Sequence, residues 1–233
     1  MSRSMQRPLL ALFLAFSSCL APLAAPAAAT QGSAAQVKDY AALIGHFPPP
    51  GSEGAIADQA ILLWLQRART PGEVRRAQSE VKLHLGVFSE VTGQDLESGP
   101  FPLTRALAAD LLDALHQVTG ALKQQFARPR PYDAIPQVKP AVSRESSYSY
   151  PSGHSTWGMA EATLLAELQP ERREAILDRG RQVGYDRVVG GVHYPSDVDA
   201  GQILGNAIAQ AWLAEPAHRR RVELAKAEWN GEQ

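Results

Sequence analysis

Cysteine is almost missing from this chain of 233 residues: the only one is Cys19, inside a stretch that reads as a removable leader. The mature protein therefore cannot rely on disulfides, even in an oxidising compartment. It also lacks a basic run, and its formal net charge is only −1. That balance argues against nucleic acid and anionic membranes as partners. No apolar run of spanning length follows the leader, so no membrane span is expected. Runs of β-branched residues between turns are nearly absent, there is no internal repeat, and there is no His-Glu-x-x-His or aspartate cluster of the kind that holds catalytic metals. His46, His84, His116 and His218 have no second ligand at metal spacing and are assigned no role. No metal and no cofactor are expected.

What is present begins with Arg3 and Arg7, an apolar run from Leu9 to Phe16, and a small-residue exit at Ala27-Ala28-Ala29. This order reads as a secretory signal peptide over residues 1–29, too short for a membrane span. Acylation at Cys19 is the alternative, although Phe16-Ser17-Ser18-Cys19 is a poor lipoprotein box. A periplasmic or secreted protein is expected. Loss of the leader removes two arginines and no acids, taking the net charge from −1 to −3. Residues 30–53 are small, polar and proline-rich, ending in Pro48-Pro49-Pro50-Gly51, and read as an extended arm. Residues 54–233 are long enough for one domain with a proper core.

Within that domain helical punctuation dominates. Ile56, Ala60, Leu63 and Ala68 space like one buried face, and Thr70-Pro71-Gly72-Glu73 is a capping box that opens a second helix, running to about Val91. Thr104 is expected to cap a third, whose Leu107, Leu111, Leu115, Val118 and Leu122 recur at three- and four-residue steps. Pro129 and Pro131 stop it, and a polar loop runs on to Pro151. Ser152 opens a fourth helix to Leu168, Pro170 with Glu171 a fifth to about Val188, and Ser196 with Asp199 a sixth through Trp212. The expected fold is an all-α, single-domain bundle. The loop from 131 to 151 is long for a compact domain and is read as the wall or cover of a site.

Three clusters carry the chemistry. Lys123 is followed after six residues by Arg130-Pro131; Pro151-Ser152-Gly153-His154 stands in the middle; Arg187 is followed after five residues by His193, and that after three by Asp197. If Ser152 caps a helix, the amides of Gly153 and His154 are free donors that favour an anion, and Gly153 lets it approach closely. Taken alone, that tetrapeptide is equally an ordinary cap with a surface histidine. Lys123 and Arg130 are two turns apart and could share a helix face, offering a point charge and a planar fork; Arg128 would lie on a different face. By itself that cluster is a solvated basic helix end. Asp197 could fix the tautomer of His193 and leave the other nitrogen free to attack, or the pair could simply buttress a helix end. Together the clusters supply what phosphoryl transfer needs: a positioned cationic cradle, a nucleophile and an acid.

These same residues resemble the signature of the phosphatidic-acid-phosphatase type 2 superfamily. The stretches Ser149 to Ser155, Ser196 to Ala200 and Ala225 to Glu228, with the leader and the arm, look closer still to the class A bacterial non-specific acid phosphatases. The resemblance implies an all-helical, metal-independent periplasmic enzyme acting on many small-molecule phosphomonoesters, with phosphotransferase activity and a homo-oligomer left open. It implies His193 as the phosphorylated residue, His154 as the acid for the leaving group and Asp197 as the orienter. It further implies that Lys123, Arg130, Ser152, Gly153 and Arg187 hold the phosphate. One position departs: Asp186 stands where the family usually has serine. Its carboxylate could draw Arg187 off the phosphate, or point outward and do nothing. Rival readings are a vanadium-dependent haloperoxidase, a soluble lipid or head-group phosphatase of the same superfamily, and a phosphate-binding protein without catalysis.

Overall fold

The computed structural model describes residues 34–231. The signal-peptide reading of residues 1–29 and the question of Cys19 lie outside them. The described residues form helices α1 Ala34–Ile44, α2 Glu53–Ala68, α3 Pro71–Ser79, α4 Ser89–Thr92, α5 Pro102–Phe126, α6 Pro131–Ala134, α7 Gly153–Leu168, α8 Arg173–Val189, α9 Pro195–Ala214 and α10 Pro216–Trp229. Among them there is no strand, so the all-α reading holds. No helix among them is long and apolar enough to cross a membrane.

The centre is α7. Ser155 to Ala166 are all buried along it, together with Leu168. A helix buried on every side has to be surrounded, and α8, α9 and α5 pack against it. The fit on two sides depends on missing side chains. A Cβ at Gly205 of α9 would stand 2.1 Å from the carbonyl oxygen of Thr156, and one at Gly180 of α8 would stand 2.6 Å from both the Ala162 Cβ and the Gly158 carbonyl oxygen. Helix α5 buries Leu107, Leu111, Leu115, Val118 and Leu122, the stripe its spacing predicts.

Several boundaries differ from expectation, each for a visible reason. The arm is not extended throughout. Residues 34–44 are helical because Val37, Tyr40, Ala41 and Ile44 make one apolar stripe, which packs onto the main core. Only the proline segment beyond it is extended. The buried face of α2 is Asp58, Leu62 and Leu65, while Ile56 is exposed; the acid at 58 hides the true stripe. Helix α3 keeps its Thr70–Glu73 capping box but ends at Ser79, and single turns follow before Phe88 and Leu96 anchor the chain in the core. Thr104 does not cap α5. The Glu228 carboxylate of α10 does so, accepting from the amides of Leu103 and Thr104 at 2.6 and 3.0 Å. Helix α10 has no counterpart in the sequence reading; Trp229 seats it against Phe101, ring centroids 4.6 Å apart. Finally, α9 begins at Pro195, with Asp197 rather than Asp199 accepting from the backbone before it, at Tyr194.

A second cluster, including Leu62, Leu65, Tyr132, Ile135, Val138, Val192 and Val198, lies under the 131–151 loop. It ties that loop to α2 and to the start of α9.

Replacing Gly205 by Ala should cost about 1–3 kcal/mol through overpacking. Gly120→Ala should be neutral or add about 0.5–1 kcal/mol, since a Cβ there meets nothing within 4 Å. Urea unfolding of the two variants beside the parent decides it; equal stability of both variants would contradict the packing described.

Candidate active site

Four helix ends meet at one place: the C-termini of α5 and α8 and the N-termini of α7 and α9. Helix α5 stops at Phe126 because Ala127 turns the chain with φ 47°, its amide donating back to the Lys123 carbonyl at 2.9 Å. Lys123 and Arg130 are therefore not on one helix face, as their seven-residue spacing suggests. The turn brings both to the same site instead.

His193 is fully buried. Its Nε2 lies 2.9 Å from Nη1 of Arg130, a group that can only donate, so Nε2 carries the lone pair. Its Nδ1 therefore holds the proton and donates to Oδ2 of Asp197 at 3.2 Å. Burial, and then Arg130 and Lys123, hold its pKa well below the usual imidazole range. The ring is thus a neutral base with the lone pair of Nε2 facing a guanidinium.

Asp197 has no exposure and accepts from four groups. Besides His193 these are the Ser149 hydroxyl at 2.5 Å, the Tyr194 amide at 2.9 Å and Nη1 of Arg128 at 2.6 Å. Arg128 also donates to Asp58 at 2.9 Å and stacks over the Tyr194 ring at 3.8 Å. Asp58 in turn accepts from the amide and hydroxyl of Ser196. Sequence reasoning set Arg128 aside on a wrong helix face and passed over Asp58 and the side chain of Ser149. The trace of Asp58 was its spacing with Leu62 and Leu65.

The expected phosphate ligands lie around this pair. Arg130 is buried, and its Nε and Nη1 are also fixed by the carbonyls of Ser147 and Val192 at 2.8 and 2.9 Å. Arg187 is fully buried, and its Nε and Nη1 have no hydrogen-bond partner among the described residues. Lys123 donates to the carbonyls of Tyr148 and Ser149 at 2.5 and 3.3 Å. Burial, and then Arg130, push its pKa down to about 7. Ser152 caps α7, its hydroxyl accepting from the Ser155 amide at 3.4 Å, and its own amide donates to the Asp197 carbonyl at 2.9 Å. A Cβ at Gly153 would meet only Lys123 Cε, at 3.9 Å, so no protein atom demands glycine there. His154 donates from Nε2 to the Val81 carbonyl at 3.0 Å, which leaves Nδ1 with the lone pair in the neutral ring. Burial, and then Arg187, push its pKa down to about 4.

One carboxylate enters the cradle. Glu145, from the 131–151 loop, accepts from Nη2 of Arg130 at 2.8 Å and from Nη2 of Arg187 at 2.9 Å. Asp186, beside Arg187 in sequence, does neither of the two things expected of it. It is fully buried but turned to Arg76, which donates to its two oxygens at 2.7 and 2.8 Å, and to Gln182 at 2.9 Å. Arg187 is left free of it.

Three of the other four histidines are occupied elsewhere: His46 against Phe126, His84 with Glu97, His218 stacked on Trp212. Among the described residues no group of three or more His, Cys, Asp or Glu is placed to hold a metal ion.

Comparison with known proteins gives this arrangement a context. The PAP2 superfamily profile matches residues 103–221, which include every residue from Lys123 to Asp197 named above. A non-specific acid phosphatase of Providencia stuartii is 30% identical over 194 residues, 78% of this chain and 78% of that protein. An acid phosphatase of Zymomonas mobilis is 31% identical over 191 residues, 78% of this chain and 72% of that protein. A solved bacterial vanadium-dependent iodoperoxidase shares the fold, with a TM-score of 0.56 at 17% identity over 73% of this chain and 52% of that one.

Removing Arg76 should strand the Asp186 carboxylate. Arg76→Ala is expected to cost roughly 2 kcal/mol, less than a fully buried pair because Arg76 reaches solvent. Adding Asp186→Ser to it should restore most of the loss in denaturant unfolding. A double variant no more stable than Arg76→Ala would show that the ion pair is not what Arg76 contributes.

Proposed function

The chain belongs to the PAP2 superfamily, and from that premise we propose that it is an acid phosphatase that hydrolyses small phosphomonoesters through a phosphohistidine on His193. The observation that carries the reading is the tautomer of His193. Asp197 holds the proton on Nδ1, and Nε2 presents its lone pair beside two buried arginines and a buried lysine.

The steps follow from that arrangement. The substrate phosphate sits among Lys123, Arg130, Arg187, the Ser152 side chain and the first amides of α7, at Gly153 and His154, where backbone donors and the helix dipole favour an anion. Nε2 of His193 attacks phosphorus in line with the ester oxygen; the N–P bond forms as the P–O bond breaks. His154, protonated on Nδ1, gives that proton to the departing oxygen. The Nδ1 proton of His193 stays with Asp197, which stabilises the charge that develops on the ring. Water then attacks phosphorus and gives a proton back to His154; phosphate leaves and Nε2 regains its lone pair. An alcohol in place of water would yield a new phosphomonoester, which is phosphotransfer. No residue of this scheme needs a metal ligand set. The residues assigned here hold the phosphate and none is assigned to the ester group, which favours a broad range of phosphomonoesters. With the leader at residues 1–29, export to the periplasm or beyond is part of the proposal.

The pKa values of the two histidines support an acid range. His193 stays neutral at acidic pH, whereas His154, at about 4 in the free site, keeps its proton only on the acid side. A bound phosphate dianion raises the pKa of His154, so the descending limb of kcat should lie at higher pH than that of kcat/KM.

The test is hydrolysis of p-nitrophenyl phosphate beside an alkyl phosphate, both in excess chelator. Turnover of both should survive chelator. His154→Ala should lose about 10²–10⁴-fold on the alkyl ester, whose alcohol is a poor leaving group, and far less on the aryl ester. Equal losses on both would remove His154 as the general acid, and activity restored only by added metal would remove the mechanism.

A further inference from the structure

The 131–151 loop places a carboxylate where the proposed reaction needs a phosphate. Each oxygen of Glu145 takes one buried arginine: Oε2 accepts from Arg130 and Oε1 from Arg187, at 2.8 and 2.9 Å. The Ser147 hydroxyl adds to the same edge, accepting from Arg130 Nη2 at 3.0 Å. Two oxygens of a phosphate bound between these guanidiniums would take the same donors, because carboxylate and phosphate match the planar arginine fork in the same way. The two occupants therefore exclude each other.

The surroundings allow that exchange without disturbing the loop. The Tyr132 hydroxyl holds the backbone of Glu145 on both sides, accepting from its amide at 3.0 Å and donating to its carbonyl at 2.8 Å. Tyr132 itself is buried in the cluster beneath the loop. The side chain of Glu145 is 30% exposed, against 2% for Arg130 and 0% for Arg187. The partners of the carboxylate are fixed, its main chain is fixed, and rotation about its own side-chain bonds takes it to water. Its presence also answers a physical need of the free site. Two guanidiniums buried together without a counter-charge would be strongly destabilising.

We propose that Glu145 is a built-in competitor of the phosphoryl group: its carboxylate fills the anion site between Arg130 and Arg187 and swings out when substrate or product phosphate enters. This rests on the phosphatase reading for its consequence, which is weakened retention of inorganic phosphate after each turnover.

The experiment is calorimetric titration of the mature protein and of Glu145→Gln with inorganic phosphate, with p-nitrophenyl phosphate turnover measured on both. Glu145→Gln should bind phosphate about tenfold more tightly, about 1.4 kcal/mol, and be inhibited by it at correspondingly lower concentration. Unchanged or weaker phosphate binding, or binding to neither protein, would overturn the proposal. Unchanged affinity with turnover intact removes Glu145 and leaves the phosphatase reading standing; tightened affinity without turnover in the parent does the reverse. Glu145→Ala supplies the same comparison if Glu145→Gln does not fold. Failure of both to fold would make the carboxylate a structural requirement, which also overturns the proposal.

Discussion

A carboxylate taken wholly out of water must have its lone pairs filled, and Asp197 meets that demand by collecting its donors from several directions. Arg128 reaches it from the exit of α5, Ser149 from the end of the long loop, and Tyr194 and His193 from the segment that opens α9. Its own carbonyl accepts from Ser152 at the start of α7. One residue thus seats the loop, the exit of α5 and the starts of α7 and α9, and in the same contacts sets which nitrogen of His193 is free. Structure and chemistry depend on the same hydrogen bonds, so the site is as rigid as the junction of those helices.

Around that point the charges alternate. Asp197 faces Arg128, and Arg128 faces Asp58; further along, Asp186 faces Arg76 and Glu80 faces Arg179. Asp197 and Asp58 share Arg128 while Asp186 and Glu80 each have their own arginine, so none of these acids pairs with Arg130 or Arg187. Nη2 of each therefore faces whatever anion occupies the cradle, and Arg187 has Nε and Nη1 in reserve. Separation of this kind matters because an arginine satisfied by a fixed carboxylate contributes little to binding a new anion. Burial first, and Arg187 after it, lower the pKa of His154, which is the basis of the acidic preference proposed for the enzyme.

Much of this was legible in the sequence where a residue's role is local. The Thr70–Glu73 box, the Ser152 cap, the leucine stripe of α5 and the histidine–aspartate spacing all act within one or two turns, and each has the expected geometry. What was not legible depends on the partner's position in space. Nothing in the spacing of Arg128 says that α5 ends at Phe126 and turns at Ala127. Asp58 reads as an error in an apolar pattern until Arg128 is set opposite it. Asp186 looks like an intrusion beside Arg187 because its neighbour in space, Arg76, is 110 residues away. The N-terminal arm misled for a different cause: its prolines and small residues outweighed a single four-residue stripe. Glu145 carried no signal at all, since one acid in a polar loop is unremarkable until two arginines close on it.

The central claim is the orientation of His193, and the most direct test is to find the phosphoryl group. The mature enzyme would be mixed with p-nitrophenyl phosphate, quenched in alkaline denaturant, where a phosphorus–nitrogen bond survives, and digested for mass spectrometry and NMR. The account predicts one phosphoryl group on His193, attached at Nε2, and none in His193→Ala. Attachment at Nδ1, attachment to another residue, or steady turnover with no phosphorylated histidine would contradict it.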